Sequence, residues 1–147
     1  MEIMSLMSLL EEWHKDAKID STEPGNELLK NPNLHAKYAE QLSRHSLALK
    51  GQRQQYAIQK RFKLDYYNGR LTRDQLEKAG LAPFQFVLKQ DIGTYIEADE
   101  DLQKIEKKIS THEEAITFLT SVIKAINNRS YDLRGYIEWV KYIQGGK

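Results

Sequence analysis

The chain contains no cysteine. Structural disulfides and thiolate metal sites are therefore excluded, and a reducing, cytoplasmic setting is expected. Proline is scarce, at 3 in 147 residues, so little interrupts a long helix. No stretch approaches the roughly 18 consecutive apolar residues of a membrane span, and no membrane partner is expected. The opening run MEIMSLMSLLEEWHK is broken by Glu11 and Glu12 and lacks a basic leader, unlike a signal peptide. The motifs GxxxxGKS, GxGxxG and GxSxG are all missing. Histidines 14, 35, 45 and 112 form neither a His-x-x-x-His pair nor HExxH. Neither a cofactor nor a metal is expected, and nothing points to an enzyme. His112 reads as a hydrogen-bonded core residue.

What is present is a folded composition: 40% hydrophobic and 29% charged residues, enough for one ordinary domain with a core. The net charge of +1 conceals sorted blocks. From His35 to Lys63, seven bases stand against one acid. Met1 to Leu34 is net −4, and Asp91 to Glu114 is net −5. A basic block in a near-neutral chain points to a local anionic partner.

Periodicity predicts a mostly α protein. Ile3, Leu6, Leu10, Trp13 and Ala17 form one apolar stripe on a helix over about 2–18. Asn31-Pro32 reads as an N-cap followed by proline at the first helical position. It would open a long helix over 33–67, with Leu34, Tyr38, Leu42, His45 and Leu49 facing inward. Beyond Gly51 that helix turns polar and basic and should be largely exposed. Asn68-Gly69 would end it. Thr72-Arg73-Asp74-Gln75 has the form of a capping box for a short helix ending at Gly80. Phe84–Lys89 and Thr94–Glu97 are expected as a small β-hairpin turned at Asp91-Ile92-Gly93. The run Glu97 to Asp101 would complement a helix macrodipole. Leu102, Ile105, Ile109, His112, Ile116, Leu119, Ile123 and Ile126 follow a 3-4 heptad spacing, which Phe118 and Val122 widen. Asn127-Asn128 is expected to break that helix. A last helix, Ser130 to Ile143, is too apolar to stand alone in water.

The stretch KRFKLDYYNGR, Lys60 to Arg70, concentrates the chemistry. Arg53, Lys60 and Lys63 fall near one helix face, Lys50 and Arg61 flank it, and Tyr56, Tyr66 and Tyr67 are interleaved. Bases track a phosphate backbone, and aromatic rings stack on unpaired bases whatever their identity. The pattern suits single-stranded nucleic acid bound without sequence preference. It equally describes a solvated helix face with half-buried tyrosines. Tyr66 and Tyr67 are either stacking platforms or hydrophobic anchors, and Arg70 lies beyond the helix end. A coiled-coil adaptor whose basic block binds an acidic protein partner is the alternative reading, motivated by the heptads.

The same stretch resembles the signature of the UvsY family, the recombination mediator proteins of T4-like phages. Ile19-Asp20-Ser21-Thr22 after an opening helix is similar to the family pattern. So are His45-Ser46 ahead of the signature and the aromatic helix after Arg129 that finishes Gly-Lys. Asn68 stands where serine is expected, and the two bases before Leu-Asp-Tyr-Tyr are swapped between Arg and Lys types. The resemblance implies a non-enzymatic protein that binds single-stranded DNA and assembles into a homo-oligomeric ring, a heptamer. Such a protein helps a RecA-like recombinase load onto DNA covered by the phage single-strand-binding protein, inside the infected host cell, and touches both proteins. It assigns DNA binding to Arg61 and Lys63; the residue pattern itself adds Lys50, Arg53, Lys60, Tyr66, Tyr67 and Arg70 as expected nucleic-acid-binding residues. Ring assembly falls to Tyr131, Leu133, Tyr136, Ile137, Trp139, Val140 and Ile143. The implied division is a helical DNA-binding domain over 1–128 and an oligomerisation helix over 129–147.

Overall fold

The computed structural model describes residues 2–83 and 86–145. Five α-helices occur among them, in the order α1 (Leu6–Asp16), α2 (Pro24–Tyr67), α3 (Arg73–Ala79), α4 (Ile92–Glu97) and α5 (Glu100–Ile143). The two long helices each have 44 residues. The chain forms two compact units, one from Met1–Ala48 with Thr111–Lys147, the other from Leu49–Ser110. The expected boundary at 128/129 instead falls inside α5. Asn127 and Asn128 do not break that helix. Both are exposed, and asparagine costs an exposed helix interior well under ~1 kcal/mol. The next residue, Arg129, is 5% exposed and ion-paired to Glu27, which fixes the helix at that point.

In the first unit, α2 and α5 run antiparallel, with Asn31 beside Ser130 and His45 beside His112. Leu9, Tyr38, Ala115, Leu119, Val122 and Ile126 form the buried core. Helix α1 is shorter than expected because Ser5 caps it, its hydroxyl accepting from the Ser8 N–H. Its inward residue is Leu9, while Leu10 is 41% exposed and Ile3 44% exposed. The stripe is set by Leu6, Leu9 and Trp13 packing on Tyr38 and its neighbours. Helix α2 also begins earlier than expected, at Pro24, and Pro32 lies inside it. Asn31 does not cap. Its side-chain NH₂ donates to the Ser130 hydroxyl and its carbonyl accepts from Arg129. These bonds, with the buried Glu27–Arg129 pair, offset the backbone hydrogen bond that Pro32 cannot donate.

The second unit buries Ile92, Ile96 and Leu102, with Tyr56, Leu64, Tyr67 and Val87 packed against them. The expected hairpin is replaced by a 3₁₀ turn, Lys89–Asp91, and α4. No strand occurs among the described residues. Phe84 and Gln85 lie outside those residues, and the Phe86 ring is 83% exposed. Ile92 and Ile96, four apart, point inward from one helical turn. The other turn signals hold. Thr72 and Gln75 form the capping box, and Gly80 closes α3 with φ of 67°. At the end of α2, Gly69 takes φ of 71°. The Arg70 N–H then returns to the Asp65 carbonyl at 2.8 Å and that of Gly69 to Tyr66 at 3.0 Å, a Schellman closure.

Candidate nucleic-acid interface

The basic block separates into two populations. Lys37 is held between Glu12 and Asp16 at 2.8 and 2.7 Å, and Arg44 pairs with Glu40. Lys63 is only 6% exposed. Its ammonium lies 3.2 Å from Asp99 and 2.7 Å from Asp101. The expectation that Arg61 and Lys63 act as paired phosphate contacts is therefore corrected: Lys63 is an internal cation of the second unit. Helical geometry gives the reason. Lys63 stands seven residues after Tyr56 and fourteen after Leu49, on the inward meridian of α2. That arithmetic was available in the sequence. Its acidic partners, on the far side of a long loop, were not.

Lys50, Arg53, Lys60 and Arg61 are all exposed. At 100° per residue they fall within an arc of about 100°, and Ala57 stands near its middle. The outward half of α2 is thus a strip of four cations. Arg70 lies past the helix end, 71% exposed and 3.8 Å from Asp65.

The tyrosines are anchors. Tyr67 donates its hydroxyl to Asp99 at 2.8 Å, meets Tyr66 edge-on, and lies against Tyr95. Burial and the Asp99 carboxylate push its phenol well above the usual range. Tyr66 donates to the Ala82 carbonyl at 2.9 Å. Tyr56 packs on the Ile92 cluster, and its phenol is raised by the hydrogen bond to Glu106 and by burial. Lys60 covers the Tyr56 ring at 5.9 Å. The alternation of bases and aromatics is thus used inside the molecule.

Asp99 is the residue that sequence reasoning undervalued. It caps α5 through the Leu102 N–H at 3.0 Å, accepts from Tyr67, and pairs with Lys63. Burial alone would raise its carboxyl. The Leu102 N–H, the Tyr67 hydroxyl and the Lys63 ammonium outweigh that and hold it below the ordinary value. Lys63 is correspondingly raised: burial opposes its charge, and the two carboxylates overcome the penalty. This cluster fixes the end of α2, and through it the strip. No group of three metal-ligating side chains comes together among the described residues, and no described helix is long and apolar enough to cross a membrane.

The C-terminal residues also separate. Leu133 is 3% exposed and belongs to its own chain's packing, so its expected place in an assembly contact is corrected. Tyr136, Ile137 and Val140 are half-buried. Tyr131 is 77% exposed, Trp139 and Ile143 56%, and Tyr142 80%. The heptad positions from Leu119 to Ile126 pack within the first unit, which removes the ground for a separate adaptor coiled coil.

Fold and face define the class: an all-helical protein with a cationic strip on one long helix. Residues 12–146 match the UvsY family, described as recombination, repair and ssDNA binding protein UvsY, and the chain belongs to that family. It is similar to recombination protein uvsY of Enterobacteria phage T4, at 28% identity over 148 residues, covering 98% of this chain and 100% of that one. It also resembles crystal structures of the bacteriophage T4 recombination mediator protein UvsY. One has a TM-score of 0.81 and 26% identity, covering 97% of this chain and 99% of the other. Another has a TM-score of 0.78 and 23% identity, covering 95% and 98%.

Proposed function

We propose that the chain binds single-stranded DNA along α2 and acts, without catalysis, as a recombination mediator. The observation that carries this is the strip of Lys50, Arg53, Lys60 and Arg61, exposed on one arc of the outward half of the helix. Four cations without assembled base-reading groups favour phosphate binding over sequence readout. Arg70 extends the cationic path beyond the helix end. Family membership supports the mediator role, in which the protein loads a RecA-like recombinase onto DNA coated by single-strand-binding protein in the cytoplasm of an infected cell. The exposed aromatics of the last α5 turns support self-assembly into a ring, a heptamer by the family resemblance. A ring repeats the strip, and several weak contacts to one strand then add as avidity, by ~10²–10⁴ where geometry permits.

The test is polarisation of a labelled oligonucleotide across a salt series. Lys60→Ala with Arg61→Ala should weaken binding and flatten the slope of log K against log salt by about 0.7 for each phosphate no longer neutralised. Lys63→Met should change the slope little in molecules that remain folded. Unchanged slope in the Lys60/Arg61 variant rejects the strip. No binding by the unaltered protein at low salt rejects the DNA reading and favours an acidic protein partner.

A further inference from the structure

The cationic strip of α2 ends at Arg61, and exposed rings follow it in the second unit. Leu64 stands four residues after Lys60 and three after Arg61, so it continues the arc of the strip by one turn. It is half-buried, because the cluster of Ile92, Ile96 and Leu102 packs against it. Val87 joins the same cluster. The segment from Val87 through α4 therefore begins where the strip stops, and both belong to one compact unit.

This segment turns rings outward. Side chains alternate along extended backbone, a conformation that Leu88 holds with φ of −65° and ψ of 139°. Val87 packs inward, and its neighbours Phe86 and Leu88 are 83% and 49% exposed. Tyr95 is 48% exposed, with its ring 5.6 Å from that of Tyr67 on the last turn of α2. The other described aromatics of the unit, Tyr56, Phe62, Tyr66 and Tyr67, are half-buried. Local charge does not favour a phosphate here, since Asp91 and Glu97 are exposed against Lys89. A strand reaching this segment gains through its bases.

We propose that Phe86 and Tyr95 form a stacking platform at the end of the strip, for unpaired bases of the strand whose phosphates lie along Lys50, Arg53, Lys60 and Arg61. Every base has a π-face, so the contact is indifferent to sequence. Bases in a duplex already cover one another and have no free face to give. The platform therefore selects single strands, a preference that four cations by themselves cannot confer. The inference rests on the DNA reading above and names the groups that make it specific for unpaired bases.

The test compares three labelled probes of equal length: a single strand, an abasic single strand and a duplex. Phe86→Leu with Tyr95→Leu keeps apolar bulk and removes both ring faces. It should raise the dissociation constant for the ordinary single strand about tenfold, with helicity unchanged. The slope of log K against log salt should stay the same, because no phosphate contact is lost. Binding to the abasic strand and to the duplex should hardly move, and Phe86→Trp should bind the ordinary strand at least as well as the unaltered protein. Unchanged affinity of the double variant for the ordinary strand overturns the platform. So does an equal loss on the ordinary and abasic strands, which would make the rings structural. If Lys60→Ala with Arg61→Ala flattens the slope while the double variant binds normally, the strip stands and the platform is wrong. No binding of any probe by the unaltered protein rejects both.

Discussion

Lys63 and Arg61 are two residues apart and do opposite things. Arg61 is exposed, so Arg61→Ala should leave stability within about 0.5 kcal/mol. Lys63→Ala strands two carboxylates, one of them, Asp99, 5% exposed. It should cost about 3 kcal/mol, read by urea denaturation. The same cluster sets a pH dependence. Asp99 is depressed in the folded state, so its contribution is complete above the ordinary carboxylate pKa of about 4 and is lost as pH falls through the lower folded value. Lys63 is raised, so its contribution is complete below the ordinary lysine pKa and is lost only as pH rises through the higher folded value. Asp99→Asn should lower stability near neutral pH and flatten its acid limb in thermal melts between pH 7 and 3.

At the scale of elements, the contact between α2 and α5 in the first unit turns on a histidine pair. The Nδ1 atoms of His45 and His112 are 2.9 Å apart, and His45 Nε2 lies 2.8 Å from the Met4 carbonyl. The carbonyl can only accept, so neutral His45 donates to it from Nε2 and accepts from His112 Nδ1–H. Gln41 fastens the same segment, accepting from the Met4 N–H and donating to the Glu2 carbonyl. Burial and then the neighbouring His45 depress His112 below its usual value. The unfolded chain therefore takes up the proton first. The contribution of neutral His112 is complete above about pH 6.5 and is lost as pH falls through its lower folded value. The melting temperature should drop by several degrees from pH 7 to 5. His112→Asn, which keeps a donor and does not titrate, should flatten that drop.

For the whole molecule, the place where α5 is cut decides what is learned. Removing residues 131–147 deletes Leu133, which is 3% exposed, and should destabilise the first unit by about 2–4 kcal/mol as well as disperse any assembly. Removing 136–147 deletes the last turns of α5, including the half-buried Tyr136, Ile137 and Val140, and leaves the buried Leu133. It should yield smaller species by light scattering and lower the melting temperature less than the longer cut does. A full-sized assembly from the shorter cut would exclude the last turns of α5 from self-association. Oligonucleotide binding by the dispersed protein should weaken because avidity disappears, with the strip itself intact.

Local chemistry determined much of this protein from the sequence alone. Period 3.6 marked the helices, Thr72 with Gln75 and the pair Asn68-Gly69 marked their ends, and the sorted charge marked the strip. These signals lie within a few residues of one another, so no knowledge of the fold is needed to read them. Tertiary structure alone decided the rest. It made Asn127-Asn128 part of a continuous helix, because Arg129 finds Glu27 across 102 residues. It made the expected hairpin a helix, because Ile92 and Ile96 find Leu102. It withdrew Lys63 from the cationic strip and packed Tyr56 and Tyr67 against the second unit's core, because partners distant in sequence reach inward side chains. The apolar C-terminal stripe was legible as a need for cover. Which of its residues the chain covers itself, and which it leaves exposed, depended on where α2 begins.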